Sequence, residues 1–324
     1  MPQIRYQGHA YLLEAGETVL EGLERQGVAL PSSCRAGACQ SCLLRAAVGT
    51  PPLQAQAGLK DTQRAQGYFL ACQCRPSGDL DIEAPAAGQV GCTARVVGKM
   101  PLNGAIVRVA LQPERPLDYR AGQFVNLVRE DGLSRSYSLA SVPGLDPNLD
   151  VHVQRLENGR MSGWIHGSLE VGDSVQLHGP LGECFYLPGR PEQTLLLIGT
   201  GSGLAPLWGI ARDALRQGHT GPIHLFHGSR HRAGLYLVDE LRALAQSHAN
   251  FHYTPCVSGE AAAGDIAAGR ASELALAAFP NLKDTRLYLC GHPDMVKTAK
   301  KKAFLAGASL ADIYADPFEL APAA

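Results

Sequence analysis

Cys34, Cys39 and Cys42 form a C-x4-C-x2-C run, Cys34-Arg35-Ala36-Gly37-Ala38-Cys39-Gln40-Ser41-Cys42. Two more thiols follow in Leu70-Ala71-Cys72-Gln73-Cys74. Three thiolates from one loop and a fourth from a distant segment are what a [2Fe–2S] cluster needs. The loop must curl tightly and aim its N–H groups at the sulfides. Gly37 and the small Ala36, Ala38 and Ser41 permit that approach. Zinc held by Cys39-x2-Cys42 and Cys72-x-Cys74 is the rival reading. It leaves Cys34 and Gly37 without a role, so iron and sulfide are expected, with Cys34, Cys39, Cys42 and one thiol of the later pair as ligands.

A second stretch has the chemistry of phosphate binding. The apolar run Thr194–Ile198 leads into Gly199-Thr200-Gly201-Ser202-Gly203-Leu204-Ala205-Pro206, and a helical pattern then runs to Gln217. Glycines between a strand and a helix let backbone N–H groups approach a dinucleotide phosphate, and proline suits a first helical turn. The spacing is G-x-G-x-G, so the G-x-G-x-x-G fingerprint is absent. The next strand, Ile223–His227, ends in Gly228-Ser229-Arg230-His231-Arg232, with no acid until Asp239. Arg230 and Arg232 read either as partners of a 2′-phosphate or as a solvated basic loop. Gly159-Arg160-Met161-Ser162 opens another helical stretch, whose free N–H groups also favour phosphate. Arg135-Ser136-Tyr137-Ser138 begins a strand; by itself it reads as an end charge, Arg135, beside a core tyrosine.

The elements that must carry these residues fall into three blocks. Residues 1–86 read as strand (Gln3–Tyr6), strand (Ala10–Leu13), a Thr18-capped helix to about Gln26, the cysteine loop, strand (Cys42–Val48), a helix-compatible stretch after Pro51-Pro52 and strand (Asp79–Glu83). Ala84-Pro85-Ala86-Ala87-Gly88 is a linker by composition. Residues 89–188 hold six β candidates: Gly91–Val97, Ala105–Leu111, Phe124–Val128, Ser136–Ala140, Leu149–Val153 and Ser174–Leu177. Turn residues separate them, as in a closed or nearly closed antiparallel barrel. Residues 191–324 alternate strands and helices, as a parallel sheet does, and include the strand Arg286–Cys290.

Composition narrows the function. With 45% hydrophobic residues and 18% charged, the chain has ample core, and a formal charge of −1 argues against a nucleic-acid partner. Five of the nine cysteines crowd into residues 34–74, which points to metal ligation, not a disulfide framework. The N-terminus lacks the pattern of a signal peptide and no apolar run of about 18 residues exists, so no membrane anchor and a cytoplasmic location are expected. Cys92, Cys184 and Cys256 read as small core residues.

The order of these motifs resembles the ferredoxin–NADP reductase superfamily preceded by a plant-type ferredoxin domain. The resemblance covers nearly the whole chain and includes every fixed position of G-T-G-x-G-x-A-P. It implies a multidomain β and α/β fold: a β-grasp ferredoxin domain, an antiparallel β-barrel FAD domain and a parallel-sheet α/β nucleotide-binding domain. Relatives place the fourth cluster ligand after a Leu-x pair, which here selects Cys72 and leaves Cys74 spare. By the same resemblance Arg135 contacts the flavin diphosphate, Ser136 belongs to the same strand motif, Tyr137 packs against the isoalloxazine and Ser138 hydrogen-bonds near flavin N5. Val151, His152 and Val153 approach the ring with their backbone, and Gly159, Met161 and Ser162 belong to the pyrophosphate turn. Gly199–Pro206 bind NAD(P)H, Cys290 lies near the nicotinamide in a loose match to C-G-x-P-x-x-M, and Phe318 shields the flavin. The implied activity is an NAD(P)H-dependent reductase that splits a hydride into single electrons for a one-electron acceptor protein, an oxygenase or another redox enzyme. A monomer is expected. The alternative is a cluster-carrying redox sensor or binding subunit that does not turn over.

Overall fold

A computed structural model describes residues 2–32, 35–37, 40–85 and 90–318. The chain divides into two compact units, Met1–Gln89 and Val90–Ala324.

In the first unit, β1 (Gln3–Tyr6) and β2 (His9–Leu12) form a hairpin, and α1 (Val19–Arg25) follows. Thr18 starts α1 through a reciprocal cap: its hydroxyl accepts from the Glu21 N–H at 3.2 Å, and the Glu21 carboxylate accepts from the Thr18 N–H at 2.9 Å. The helix buries Val19, Leu20 and Leu23 against a core that includes Ile4, Leu44, Phe69 and Leu80. After the cysteine loop come β3 (Leu43–Val48), α2 (Asp61–Ala65), β4 (Tyr68–Leu70) and β5 (Leu80–Glu83). The sheet order is β2-β1-β5-β3-β4, with β1 parallel to β5 and the other neighbours antiparallel. The helix-compatible stretch after Pro51-Pro52 is helical in two pieces: a 3-10 turn, Leu53–Gln56, precedes α2, and Gly58 between them has φ +76°. Tyr68–Leu70, unforeseen because it is so short, pairs with β3.

The second unit opens with an antiparallel sheet. Its strands are β6 (Val90–Pro101), β7 (Ile106–Pro113), β8 (Phe124–Val128), β9 (Ser134–Ser138) and β10 (Leu149–Gln154), then, after α3 (Arg160–Gly167), β11 (Ser174–Leu181). The order is β10-β7-β6-β11-β8-β9. The two edges meet: Leu139 bridges Val151, and the Ala140 N–H donates to the Asp150 carbonyl at 2.8 Å. The strand expected at Ser136–Ala140 is Ser134–Ser138, which ends opposite Phe124, the first residue of β8; the Leu139 N–H still donates to the Gln123 carbonyl at 2.7 Å while Leu139 bridges Val151. Core positions Val107, Val109, Val125, Leu127, Val151 and Val153 fill the barrel.

A parallel sheet completes this unit. Its elements are β12 (Leu195–Thr200), α4 (Leu204–Arg216), β13 (Ile223–Ser229), α5 (Val238–Ser247), β14 (Phe251–Val257), β15 (Ala267–Ala268), α6 (Ala271–Ala278), β16 (Arg286–Gly291), α7 (Pro293–Leu305) and β17 (Ile313–Pro317). The order is β15-β14-β13-β12-β16-β17. Leu195, Leu196, Leu197 and Ile198 are all buried, as in a strand covered on both faces. The chain winds outward one way from β12 and the other way from β16, so the order reverses between them. Open α/β sheets take their ligands at the carboxyl ends of the strands flanking such a reversal. The aromatic tail segment is the edge strand β17, paired with β16.

Candidate functional site

A cleft of about 1640 Å³ runs through the second unit. One wall is β9, with Arg135, Ser136, Tyr137 and Ser138; another is the turn entering α3, with Gly159, Met161 and Ser162. His152 and Gln154 line it from β10, and Thr200, Gly201, Ser202 and Ala205 from the glycine turn. Gly291, Asp316 and Phe318 lie on the same cavity from the β16 and β17 ends. Motifs far apart in sequence therefore face one space.

The barrel side is shaped by local bonds. Gly159 precedes the first residue of α3, and the Ser162 hydroxyl accepts from the Leu156 N–H at 3.1 Å and reaches the Gly159 carbonyl at 3.3 Å. The Ser162 side chain thus fixes the turn. A β-carbon on Gly159 would lie 2.4 Å from the Ser162 Oγ, so glycine is required there. At the far end of α3, the Lys99 ammonium donates to the His166 and Leu169 carbonyls at 3.0 and 2.8 Å. Cations stabilise helix C-termini in this way. Arg135 is exposed, and burial holds the Tyr137 phenol well above its ordinary pKa. Val151 and Val153 point into the barrel core, whereas His152 between them turns to the cleft.

The nucleotide side is built on close backbone approach. A β-carbon on Gly203 would lie 2.3 Å from the Cys290 carbonyl, and one on Gly291 would lie 2.6 Å from the Thr200 carbonyl. The ends of β12 and β16 touch because both residues are glycine. Gly199 and Pro206 lie in the same strand–turn–helix segment, and Gly201 is left-handed at φ +56°. Arg230 lines the cleft. Arg232 instead reaches Glu260 at 3.4 Å and the Ala261 carbonyl at 2.9 Å. The acid that β13 lacks thus arrives from beyond β14, and Glu260 also bonds His231 at 3.1 Å.

Several connections were not visible in sequence. The Ser138 hydroxyl donates to the Asp316 carboxylate at 2.7 Å, and burial pushes that carboxyl up to about 6. Cys290 is fully buried with its sulfur 3.8 Å from that of Cys184, and burial raises its pKa far above normal. His152 Nδ1 lies 3.2 Å from the Tyr236 hydroxyl, tying the barrel to the loop before α5. Burial lowers His152 to about 3, so it is neutral at physiological pH. Phe318 is held at the cleft through its N–H, which donates to the Gly291 carbonyl at 2.8 Å.

In the first unit, Cys34 and Cys39 lie outside the described residues. Arg35, Gly37 and Gln40 are left-handed at φ 51°, 78° and 58°, the tight curl expected of the loop. Cys42 and Cys72 are buried and meet, the Cys42 thiol hydrogen-bonding to Cys72. Gln73 Nε2 donates to the Arg35 carbonyl at 3.1 Å and lies 3.6 Å from the Cys72 sulfur. Cys74 is fully buried in the core; its carbonyl accepts from the Val19 N–H at 2.8 Å, and burial pushes its thiol to about 12. A thiol pair facing a loop curled by left-handed residues suits the donor chemistry of an iron–sulfur cluster. The open cleft, with the starts of α3, α4, α6 and α7 on its walls, suits a dinucleotide flavin beside a nicotinamide nucleotide.

Three family descriptions match in succession: a 2Fe-2S iron-sulfur cluster binding domain over residues 4–77, an oxidoreductase FAD-binding domain over 97–186 and an oxidoreductase NAD-binding domain over 197–301. The reductase subunit of an aromatic O-demethylase from Amycolatopsis sp. is 36% identical over 303 residues, covering 89% of this chain and 90% of the relative. The reductase component of phenol 2-monooxygenase from Pseudomonas sp. is 33% identical, covering 90% and 86%. The crystal structure of an Amycolatopsis cytochrome P450 reductase aligns over 98% of this chain and 99% of its own, with a TM-score of 0.69 and 32% identity. Fold, site and relatives define an oxidoreductase that uses NAD(P)H, FAD and a [2Fe–2S] cluster to transfer electrons. The chain belongs to the ferredoxin–NADP reductase superfamily, among the oxygenase-system reductases with an N-terminal [2Fe–2S] domain. Among the described residues, no helix is long and apolar enough to cross a membrane.

Proposed function

We propose that this reductase takes electrons from NADH or NADPH and delivers them singly to an oxygenase or another one-electron acceptor protein. The carrying observation is the shared cleft, which brings the Arg135–Ser138 strand, the α3 turn and the glycine turn together. Bound FAD accepts a hydride and can release its two electrons one at a time, and a bound cluster accepts single electrons. The polypeptide sets distance and access. Arg135, Ser136, Tyr137, Ser138, His152, Gly159, Met161 and Ser162 are assigned to FAD, with backbone of Val151 and Val153 along the ring. Gly199–Pro206 and Arg230 are assigned to the nucleotide; Arg232, engaged by Glu260, is no longer a free candidate for a 2′-phosphate. Cys290, placed near the nicotinamide by resemblance, is instead buried in the core beside Cys184. Ser138 and Phe318, which line the cleft, would flank the reacting end of a bound flavin. Asp316 joins them as the residue that orients the Ser138 hydroxyl.

Cys34, Cys39, Cys42 and Cys72 are assigned to the cluster, with Cys74 a core residue. Its full burial beneath the start of α1, and the pairing of Cys42 with Cys72, support that choice. Functional domains are drawn at residues 1–86, 89–188 and 191–324, in a cytoplasmic monomer. The test compares two serine variants. Cys72→Ser should abolish the rhombic EPR signal of the reduced protein and lower NADH-driven cytochrome c reduction by at least about tenfold, leaving ferricyanide reduction near wild type; Cys74→Ser should keep the signal. The reverse pattern would move the fourth ligand to Cys74.

A further inference from the structure

We propose that Gln154 is an internal occupant of the pyrophosphate seat, which an incoming nicotinamide nucleotide must displace. Gln154 ends β10 on the flavin side of the cleft, yet its side chain reaches across to the glycine turn. Its amide oxygen accepts from the Ser202 N–H at 3.4 Å. A β-carbon on Gly201 would lie 2.5 Å from that oxygen, so the two chains approach as closely as glycine allows. The bond is long and neutral, and Gln154 is exposed. Such a contact satisfies a helix-start donor without holding it against a better acceptor.

A phosphate oxygen is the better acceptor at this place. The Ser202 N–H lies at the entry to the 13-residue α4, where free N–H groups and the helix dipole favour an anion. A carboxamide oxygen carries only a partial negative charge and a phosphate a full one, so the nucleotide wins the exchange. The cost of displacing Gln154 weakens nucleotide binding and speeds release of NAD(P)+.

This inference rests on the assignment of Gly199–Pro206 to the nucleotide, and the experiment separates the two. Flavin-loaded protein is titrated with NAD+ and with ADP-ribose, which has the pyrophosphate but no nicotinamide, by calorimetry. The visible flavin spectrum checks folding of each variant. Gln154→Ala should bind both ligands about three- to tenfold more tightly, the range of one net hydrogen bond. Gln154→Glu, which puts a full negative charge in the seat, should bind both at least about tenfold more weakly, with part of the loss recovered in high salt. Gly203→Ala, whose β-carbon would lie 2.3 Å from the Cys290 carbonyl and so displaces the glycine turn without touching Gln154, should lose affinity for both. Unchanged or weaker binding by Gln154→Ala overturns the role of Gln154, as does an effect on NAD+ without one on ADP-ribose. Wild-type affinity in Gly203→Ala overturns the nucleotide assignment itself.

Discussion

Ser138 and Asp316 are 178 residues apart and share a 2.7 Å hydrogen bond. The pair sits where Ser138 is expected to face the flavin, so Asp316 fixes the direction in which that hydroxyl offers its lone pairs. Burial raises the carboxyl from 3.8 to about 6, and the bond from Ser138 opposes part of that rise. The folded chain therefore keeps a proton that the unfolded chain releases. That contribution is fully present below about pH 4 and is lost as pH rises through about 6. Asp316→Asn removes the titration. The stability of the variant minus that of wild type should grow by on the order of 3 kcal/mol between pH 4 and pH 7.5, since each tenfold change in proton affinity is worth about 1.4 kcal/mol. Urea unfolding of the flavin-loaded proteins at both pH values measures it, and a difference independent of pH would show that Asp316 titrates normally. Nothing near Asp316 in sequence announced this role, because its partner arrives through a strand on another sheet. The glycine turn was legible for the opposite reason: its strand–turn–helix signature lies within eight consecutive residues, although its packing against β16 does not.

At the scale of elements, sequence patterns located strands well where burial is regular. Phe124–Val128 matches expectation at both ends, and the apolar run expected at Thr194–Ile198 is the buried β12, which starts one residue later at Leu195. Patterns failed where pairing, not burial, sets the limit, as at β9, which ends at Ser138 opposite Phe124, the first residue of its partner β8. The seam between barrel and parallel sheet was equally hidden. Tyr236 enters it from a loop whose next residue, Leu237, is left-handed at φ 51°. Its ring stands edge-on to His152 and His227, at 5.4 and 5.6 Å, and its hydroxyl lies 3.2 Å from His152. Both histidines are buried and held neutral. Tyr236→Phe leaves a buried ring nitrogen without its partner, which costs about 1–3 kcal/mol. Adding His152→Leu removes the orphaned polar group and should recover part of that loss. Guanidinium unfolding followed by flavin fluorescence reads both variants; a single variant as stable as wild type would mean the bond does not brace the seam.

At the scale of the whole molecule, the contact pattern separates residues 1–89 from 90–324, and each unit has its own core. The chemistry separates in the same place. The FAD and nucleotide motifs share one cleft in the second unit, whereas the cysteines of the C-x4-C-x2-C loop belong to the first. Hydride transfer should then need the second unit alone, and delivery to a protein acceptor should need both. Ferricyanide is small enough to take electrons directly from bound flavin, whereas cytochrome c is bulky. Charges in the first unit nearly cancel, with Glu14, Glu17, Glu21, Glu24, Asp61, Asp79, Asp81 and Glu83 against Arg5, Arg25, Arg35, Arg45, Lys60, Arg64 and Arg75. Long-range steering is therefore weak, and the cytochrome c rate of the full chain should change less than about threefold between low and physiological salt. Deleting residues 1–86 should leave NADH-driven ferricyanide reduction within about twofold of the full chain and lower cytochrome c reduction at least about tenfold. Equal cytochrome c rates with and without the first unit would mean that electrons leave from the flavin, and the cluster would lose its place as the exit to the partner.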